Sequence, residues 1–188
     1  MKILSLSRLS LRICIALALI MTTAGANQIE KAPAECRTSE FAFRYSADFK
    51  LAVAEHGTLI RLVLRSQSAY WEDAIIIRKH NKKTEECDLS QDSQPENRDR
   101  RNIAGRRAYA YSREDAAMNR DVRTKGYMIE HGDYCWDFQI IRKGKPYRKL
   151  DLPVNELKRL DAQSDGDSKA ANAAFRLILD SFVFLRPQ

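Results

Sequence analysis

Short segments in which apolar and polar residues alternate recur from Phe41 onward and predict strands. Phe41, Phe43 and Tyr45 stand at every second position, and the segment 58–65 repeats the pattern with three aliphatic residues. An alternation of period two puts one set of side chains on each face of a strand. A run of three isoleucines within 74–79 predicts a third strand that is buried on both faces.

The clearest hairpin is predicted at 122–131 and 134–142. Gly132 and Asp133 separate the two segments, and these residue types supply the backbone freedom of a tight turn. Every second residue of the later segment is large and apolar, which predicts the best core-facing strand of the chain. These residues are Tyr134, Trp136, Phe138 and Ile140.

The other segments before the C-terminal part are less regular. We predict a strand at 103–111, a polar connection with room for one helical turn at 112–121, and a short strand at 147–152. Nearly every residue in 81–102 is polar or charged, so this stretch cannot bury enough apolar surface to order itself. We predict a long exposed loop there, and loops of that length are often functional or disordered.

The end of the chain has helical periodicity. Side chains suited to capping occur at 164–167, and apolar residues then recur three or four positions apart through 168–181. A shorter helix at 154–160 and a closing strand at 182–185 are also predicted. Together these elements predict an α+β fold, a mostly antiparallel sheet covered by a C-terminal amphipathic helix.

The order of these signals resembles the PsbP-like family. The residues that carry the resemblance lie in the opening strand, a step near residue 105, the central hairpin and the closing helix. They are Phe41, Phe43, Tyr45, Phe49, Ile103, Ala104, Gly105, Ala108, Tyr134, Trp136, Ile178, Leu179, Asp180, Ser181 and Phe182. The resemblance implies a helix-covered antiparallel sheet and an exported accessory or binding domain. It implies no shared catalytic set, so no active-site residues follow from it.

The first 26 residues have the pattern of a cleavable secretory signal peptide. Lys2, Arg8 and Arg12 precede an uncharged apolar run of about nine residues, and 24–26 reads Ala-Gly-Ala. A membrane-spanning helix needs about 20 apolar residues, so an uncleaved anchor is the weaker alternative. We predict export to a periplasm, with full secretion as the alternative.

Cleavage changes the charge of the chain. The leader contains three of the 32 basic residues and none of the 25 acidic ones, which leaves 29 against 25 and a net charge of +4 instead of +7. A surplus this small favours solubility and does not by itself indicate nucleic-acid binding. The remaining length fits a single domain, which we place at 41–188 after a linker at 27–40.

Three cysteines remain after the leader, namely Cys36, Cys87 and Cys135. In an oxidising compartment two of them are expected to pair and one to be left over, and sequence alone leaves three pairings open. We favour Cys36 with Cys87, since both lie in polar segments beside the predicted sheet. Cys135 is then expected to be a buried free thiol.

The densest basic group is a set of arginines between residues 98 and 107, with Tyr109 and Tyr111 close behind. Guanidinium groups bind carboxylates and phosphates through paired hydrogen bonds, so an anionic polymer, a lipid headgroup or an acidic protein suits this group. Interleaved acidic residues make a solvated loop the alternative. The candidate binding residues are Arg101, Arg106 and Arg107, of which the last two would point to opposite faces of a strand.

Two further groups of residues are candidate sites. Tyr70 and Trp71 lie between predicted strands and would either anchor a partner or cover the end of the core. His131, Asp133 and Cys135 surround the hairpin turn, but they do not complete four metal ligands and no third group orients a Cys/His pair. We predict no catalytic residue, no metal and no cofactor.

These observations favour an exported, non-enzymatic binding or accessory protein of the cell envelope, with a protein or an anionic ligand as its partner. One alternative is a small extracytoplasmic enzyme that uses Cys135 or a histidine. Another is an inhibitor-like or structural surface module. Neither nucleic-acid binding nor a membrane span after cleavage is predicted.

Overall fold

The alternating segments form one long antiparallel sheet and two smaller ones in the computed structural model, which describes residues 32–52, 58–65, 68–82, 101–117, 120–145 and 147–185. A 3₁₀ turn, Tyr147–Lys149, precedes the helix. In chain order the elements are β1 (Ala34–Arg37), β2 (Phe41–Tyr45), β3 (Phe49–Ala52), β4 (Thr58–Leu64), β5 (Trp71–Asn81), β6 (Asn102–Ile103), β7 (Arg106–Arg107), β8 (Tyr109–Ala117), β9 (Arg120–His131), β10 (Tyr134–Gly144), α1 (Val154–Ser181) and β11 (Val183–Phe184).

The central sheet has six strands in the order β3-β4-β5-β10-β9-β8, and all of its pairings are antiparallel. A three-stranded sheet has the order β1-β2-β11, and β6 and β7 form a two-stranded hairpin. The hairpin between β9 and β10 turns at Gly132, whose φ of 60° is easy only for glycine. The α+β fold class predicted from the sequence is confirmed.

The core lies between α1 and one face of the central sheet, which we call the helix face. Alternate residues of β10 and β5 point to it, and the apolar stripe of α1 covers them. Aromatic rings dominate its centre, where Phe182 packs 4.8 Å from the ring centroid of Phe138 and 5.9 Å from that of Trp136. The residues that alternate with these along each strand lie on the opposite face of the sheet, which we call the outer face.

The helix is longer than predicted. The segments 154–160 and 168–181, expected as two helices, belong to the single α1, which continues through Gly166. Arg142 of β10 joins its first half to the sheet by donating to Ser164 Oγ at 2.9 Å, and two hydrogen bonds of 2.6 and 2.7 Å to Asp73 of β5 fix the Arg142 side chain.

Three other expectations are corrected by the structure. The predicted linker 27–40 contains β1, whose Cys36 is buried, so part of it belongs to the folded domain. In the connection expected at 112–121, residues 112–117 belong to strand β8, because β8 is an edge strand and edge strands tolerate polar side chains. The segment 147–152 begins with a 3₁₀ turn instead of a strand. The predicted leader and most of the predicted loop 81–102 lie outside the described residues.

Candidate functional site

The pair β6 and β7 forms a hairpin, residues 102–107, that we call the arginine hairpin. Its two-residue turn has positive φ angles, 50° at Ala104 and 74° at Gly105. Such turns need this backbone geometry, which costs energy for every residue except glycine. Ile103, directly before the turn, is fully buried in the core, so the first strand of the hairpin is fixed while its second strand is exposed.

Arg106 and Arg107 present their guanidinium groups to solvent. Within the described chain neither side chain has a hydrogen bond or an ion pair. The guanidinium carbon of Arg107 lies 5.9 Å from the ring centroid of Tyr109, which is itself 50% exposed. Arg106 instead acts on His131, so the two arginines border different residues, as their alternation on a strand requires.

Arg101 has a different environment from the two hairpin arginines. Its guanidinium forms an ion pair with Asp180 near the end of α1 and lies 6.0 Å from the ring centroid of Tyr127. Its backbone carbonyl also accepts a hydrogen bond from Ala108 at 2.8 Å. Arg101 therefore ties the hairpin to the helix, and a ligand would have to displace Asp180 to reach it.

His131 and Lys79 lie next to the hairpin. The His131 ring stacks on Phe184 at 3.7 Å, and burial, helped by the positive charges of Arg106 and Lys79, lowers its pKa. The Lys79 ammonium lies 4.0 Å from the ring centroid of Tyr134 and pairs with Glu40 at 2.7 Å. This region combines exposed aromatic surface with positive charge, which suits a partner carrying carboxylates or phosphates.

Tyr70 and Trp71 lie at the other end of β5 and pack within the molecule. Trp71 is buried, donates a hydrogen bond to Asp167 of α1 at 3.0 Å and lies 5.5 Å from the ring of Tyr147. The Tyr70 ring is 5.7 Å from the same tyrosine. These contacts favour the interpretation of Trp71 as a cover for the end of the core.

Cys135 is disulfide-bonded, so its prediction as a free thiol was wrong. It points to the outer face of β10, whereas Cys36 belongs to the helix-face core together with Trp136. The sequence pattern showed a strand at 134–142 but not which face each cysteine would occupy. Cys87, the other residue of the predicted pair, lies outside the described residues.

The part of the chain that the structure describes holds no group of three His, Cys, Asp or Glu side chains able to share a metal ion. His131 and Asp133 belong to the β9–β10 hairpin and are not gathered with a third ligand there. Among the described helices, none is long and apolar enough to cross a membrane.

The sequence reasoning missed a buried polar cluster on the outer face. Tyr111 donates to Asp137 Oδ1 at 2.6 Å, and Gln139 Nε2 donates to Asp137 Oδ2 at 2.5 Å. Burial raises the pKa of Asp137, although both hydrogen bonds oppose the shift, and burial beside Asp137 raises the pKa of Tyr111. The sequence does contain a signal for this cluster, because Asp137 and Gln139 alternate with the large apolar residues of β10.

These features define an α+β protein with a helix-covered antiparallel sheet and an exposed arginine hairpin. Neither a protein-family model nor a curated protein matches this chain. Solved structures with a similar arrangement include LpqN of Mycobacterium tuberculosis, which is involved in cell envelope biogenesis. The two share 11% sequence identity with a TM-score of 0.43, over 77% of this chain and 82% of LpqN. A likeness at this level says nothing about function.

Proposed function

We propose that this chain is an exported, non-enzymatic binding protein of the cell envelope whose arginine hairpin contacts an anionic partner. The observation that carries the proposal is the exposure of Arg106 and Arg107, whose guanidinium groups form no ion pair within the described chain. Both residues lie on a hairpin that buried Ile103 anchors to the core. An anchored hairpin loses little conformational entropy on binding, which favours its use as a recognition element.

The turn of the hairpin supports the proposal independently. Ala104 adopts a φ of 50°, which a residue with a Cβ reaches at a cost of about 1 kcal/mol or more. Backbone strain of this kind persists where the surrounding structure fixes it, and it is concentrated at functional sites. Here the strained residue comes two positions before Arg106, whose positive charge helps to lower the pKa of His131 after burial, the larger cause.

Export is supported by the leader pattern and by the disulfide at Cys135, since disulfides persist in oxidising compartments. Cys36 and Cys135 face opposite sides of the central sheet, so we take Cys87 as the partner of Cys135. Periplasmic residence and full secretion are both compatible with this proposal. The PsbP-like resemblance stays a prediction.

The rival proposal of a small enzyme loses its main candidate nucleophile. A disulfide-bonded, fully buried Cys135 has no thiolate with which to attack a substrate. Of the histidines, His131 is stacked on Phe184 and has no hydrogen bond to its buried Nδ1 that would orient it as a base. A binding role is therefore the better supported of the two.

Capture of envelope components by the immobilised mature protein tests this function. The double variant R106Q/R107Q should retain at least tenfold less of the components that the unchanged protein captures, because two charge-assisted contacts of about 1.5 kcal/mol or more would be lost. Its thermal midpoint should not change, since neither side chain has a partner within the described chain.

R120Q/R176Q provides a matched control for this capture experiment. It removes the same charge from two exposed arginines of β9 and α1, away from the hairpin, and should capture as well as the unchanged protein. Quantitative mass spectrometry of bound lipids and proteins identifies the partner class. Equal losses in both variants, or no loss in R106Q/R107Q, would show that the hairpin is not the binding element.

A further inference from the structure

The outer face of the central sheet contains an arginine whose expected partner is bound elsewhere. Arg78 of β5 and Asp137 of β10 stand directly opposite each other in the antiparallel register and so share one face. Residues in this relation commonly form an ion pair. Arg78 and Asp137 form none.

The hydrogen bonds of Asp137 explain the missing ion pair. Both of its carboxylate oxygens accept hydrogen bonds, one from Tyr111 of β8 and one from Gln139, two residues further along β10. Tyr111 can reach across β9 because the residue below its ring is Gly126. The sheet therefore draws the carboxyl group towards β8 and leaves Arg78 without a counterion.

The guanidinium of Arg78 is half-buried, and its Nε is fully buried without a hydrogen-bond partner. A buried donor without a partner is costly, so native proteins usually satisfy such groups with a side chain, a water or a ligand. The neighbouring arginine on β4, Arg61, already pairs with Glu72 at 2.6 Å. No acidic side chain among the described residues pairs with Arg78.

Two further side chains of suitable chemistry border Arg78. Thr58 of β4 is its direct cross-strand partner on the side opposite Asp137, and its hydroxyl can donate a hydrogen bond. His80 lies two residues further along β5 and therefore on the same face. Both residues are half-buried, so the position is open to solvent on one side.

We propose that Arg78 and Thr58 form an oxyanion site on the outer face that takes a carboxylate or phosphate group. A guanidinium binds such groups through two parallel N–H donors, here the Nη groups of Arg78, because its buried Nε is out of reach of an anion that arrives from solvent. The hydroxyl of Thr58 supplies a third donor on the β4 side. This site is separate from the arginine hairpin and needs no residue of it.

The surroundings of the site favour an anion over a cation. Arg78 contributes positive potential and acts on Asp137 through space. Because burial raises the pKa of Asp137, its carboxyl group opposes an incoming anion less than an exposed aspartate would. Ile76 and Met128 are buried on the same face and would contact apolar atoms next to the anionic group.

Nuclear magnetic resonance of the Arg78 Nε–H group tests the site in the full mature protein. Inorganic phosphate and acetate are titrated separately at constant ionic strength, with sodium chloride as the reference salt. We expect a saturable shift of the Arg78 signal with at least one of the two anions, and no shift of the Arg176 signal. The stronger of the two responses distinguishes a phosphate ligand from a carboxylate ligand.

Variants sharpen this test. R78K keeps the positive charge but loses the paired N–H donors of the guanidinium, so it should weaken anion binding by at least tenfold. T58V loses one hydrogen-bond donor and should also weaken anion binding. R106Q/R107Q should leave the Arg78 response unchanged, which separates this site from the hairpin. Equal, non-saturable shifts of Arg78 and Arg176, or no shift with either anion, would overturn the proposal even if no variant of Arg78 folds.

Discussion

At Gly126 the ring of Tyr111 occupies the space in which any other residue would carry its Cβ. A Cβ placed there would lie 2.5 Å from the ring, and the atoms it would meet include the hydroxyl that binds Asp137. The glycine in the middle of β9 is therefore what allows a tyrosine on the edge strand to reach the centre of the sheet. A sequence reading sees only an isolated glycine in a strand pattern.

Replacing Gly126 with alanine should destabilise the protein by about 2 kcal/mol, because Tyr111 must move and Asp137 loses a buried hydrogen bond. Urea unfolding measures the change. Gly166→Ala is the control, and its effect on the free energy of unfolding should have the opposite sign. Gly166 lies in α1 with open space around its Cβ position, so alanine there should stabilise by about 0.5–1 kcal/mol. Equal effects of the two substitutions would argue against the role given to Gly126.

The raised pKa of Asp137 predicts how the stability of the protein depends on pH. Burial raises its pKa in the folded state above the ordinary 3.8, so the folded protein holds this proton at pH values where the unfolded chain has released it. Its contribution to stability is complete below pH 3.8 and decreases as the pH rises to the raised pKa. Stability should therefore fall with pH over that window on account of this group.

Asp137→Asn isolates the effect of Asp137 from the other carboxyl groups. The variant keeps an acceptor for Tyr111 but does not titrate, so the stability of the unchanged protein minus that of the variant should decrease with rising pH and then level off. Unfolding free energies measured from pH 3 to pH 8 give this difference. A difference that rises with pH, or stays flat, would contradict the raised pKa.

Among the elements, α1 shows why boundaries were harder to predict than element types. Asp165, Gly166 and Asp167 have the composition of a helix start, and so the pattern predicted two helices. In the fold Asp167 accepts a hydrogen bond from Trp71 and Ser164 binds Arg142, and these tertiary contacts hold the segment as helix. Contacts between residues so far apart in the chain leave no local signal.

The strands also divide into those that the sequence pattern predicts and those that it does not. Segments with an apolar set on one face, such as 41–45 and 134–142, were predicted correctly because burial on the helix face produces the alternation. The edge strand β8 was missed beyond residue 111, since an exposed edge carries polar residues on both faces. The arginines of the hairpin were visible in the sequence, but the ion pair that separates Arg101 from Arg106 was not.

Arg142 should be the most important polar residue between the sheet and α1, because it pairs with Asp73 of the neighbouring strand and donates to Ser164 of α1. The Asp73 side chain is only 3% exposed, so Arg142→Ala would leave its carboxylate buried without a partner and cost about 3 kcal/mol. Chemical unfolding measures the loss. Arg159→Ala removes an exposed pair within α1 and should have little effect. A loss no larger in Arg142→Ala than in Arg159→Ala would contradict the assigned role.

At the scale of the whole molecule, the contacts that hold the helix and the proposed binding surface lie in different places. One face of the sheet packs against α1, and the end of β5 at Trp71 fastens the helix. The opposite end of β5 approaches the region where the arginine hairpin, Tyr109 and His131 are found. Binding at the arginine hairpin, as proposed above, would leave the contacts of Trp71 and Arg142 with α1 in place.

Site-specific photo-crosslinking in the native host tests this claim most directly. A benzophenone amino acid replaces Tyr109, the half-exposed ring beside Arg107, and in a second strain it replaces Asn172 on the exposed side of α1. We predict a discrete adduct from position 109 that disappears in the R106Q/R107Q background, and none from position 172. The same adducts from both positions, or an adduct from position 109 that persists in R106Q/R107Q, would contradict the assignment of the arginine hairpin as the binding element.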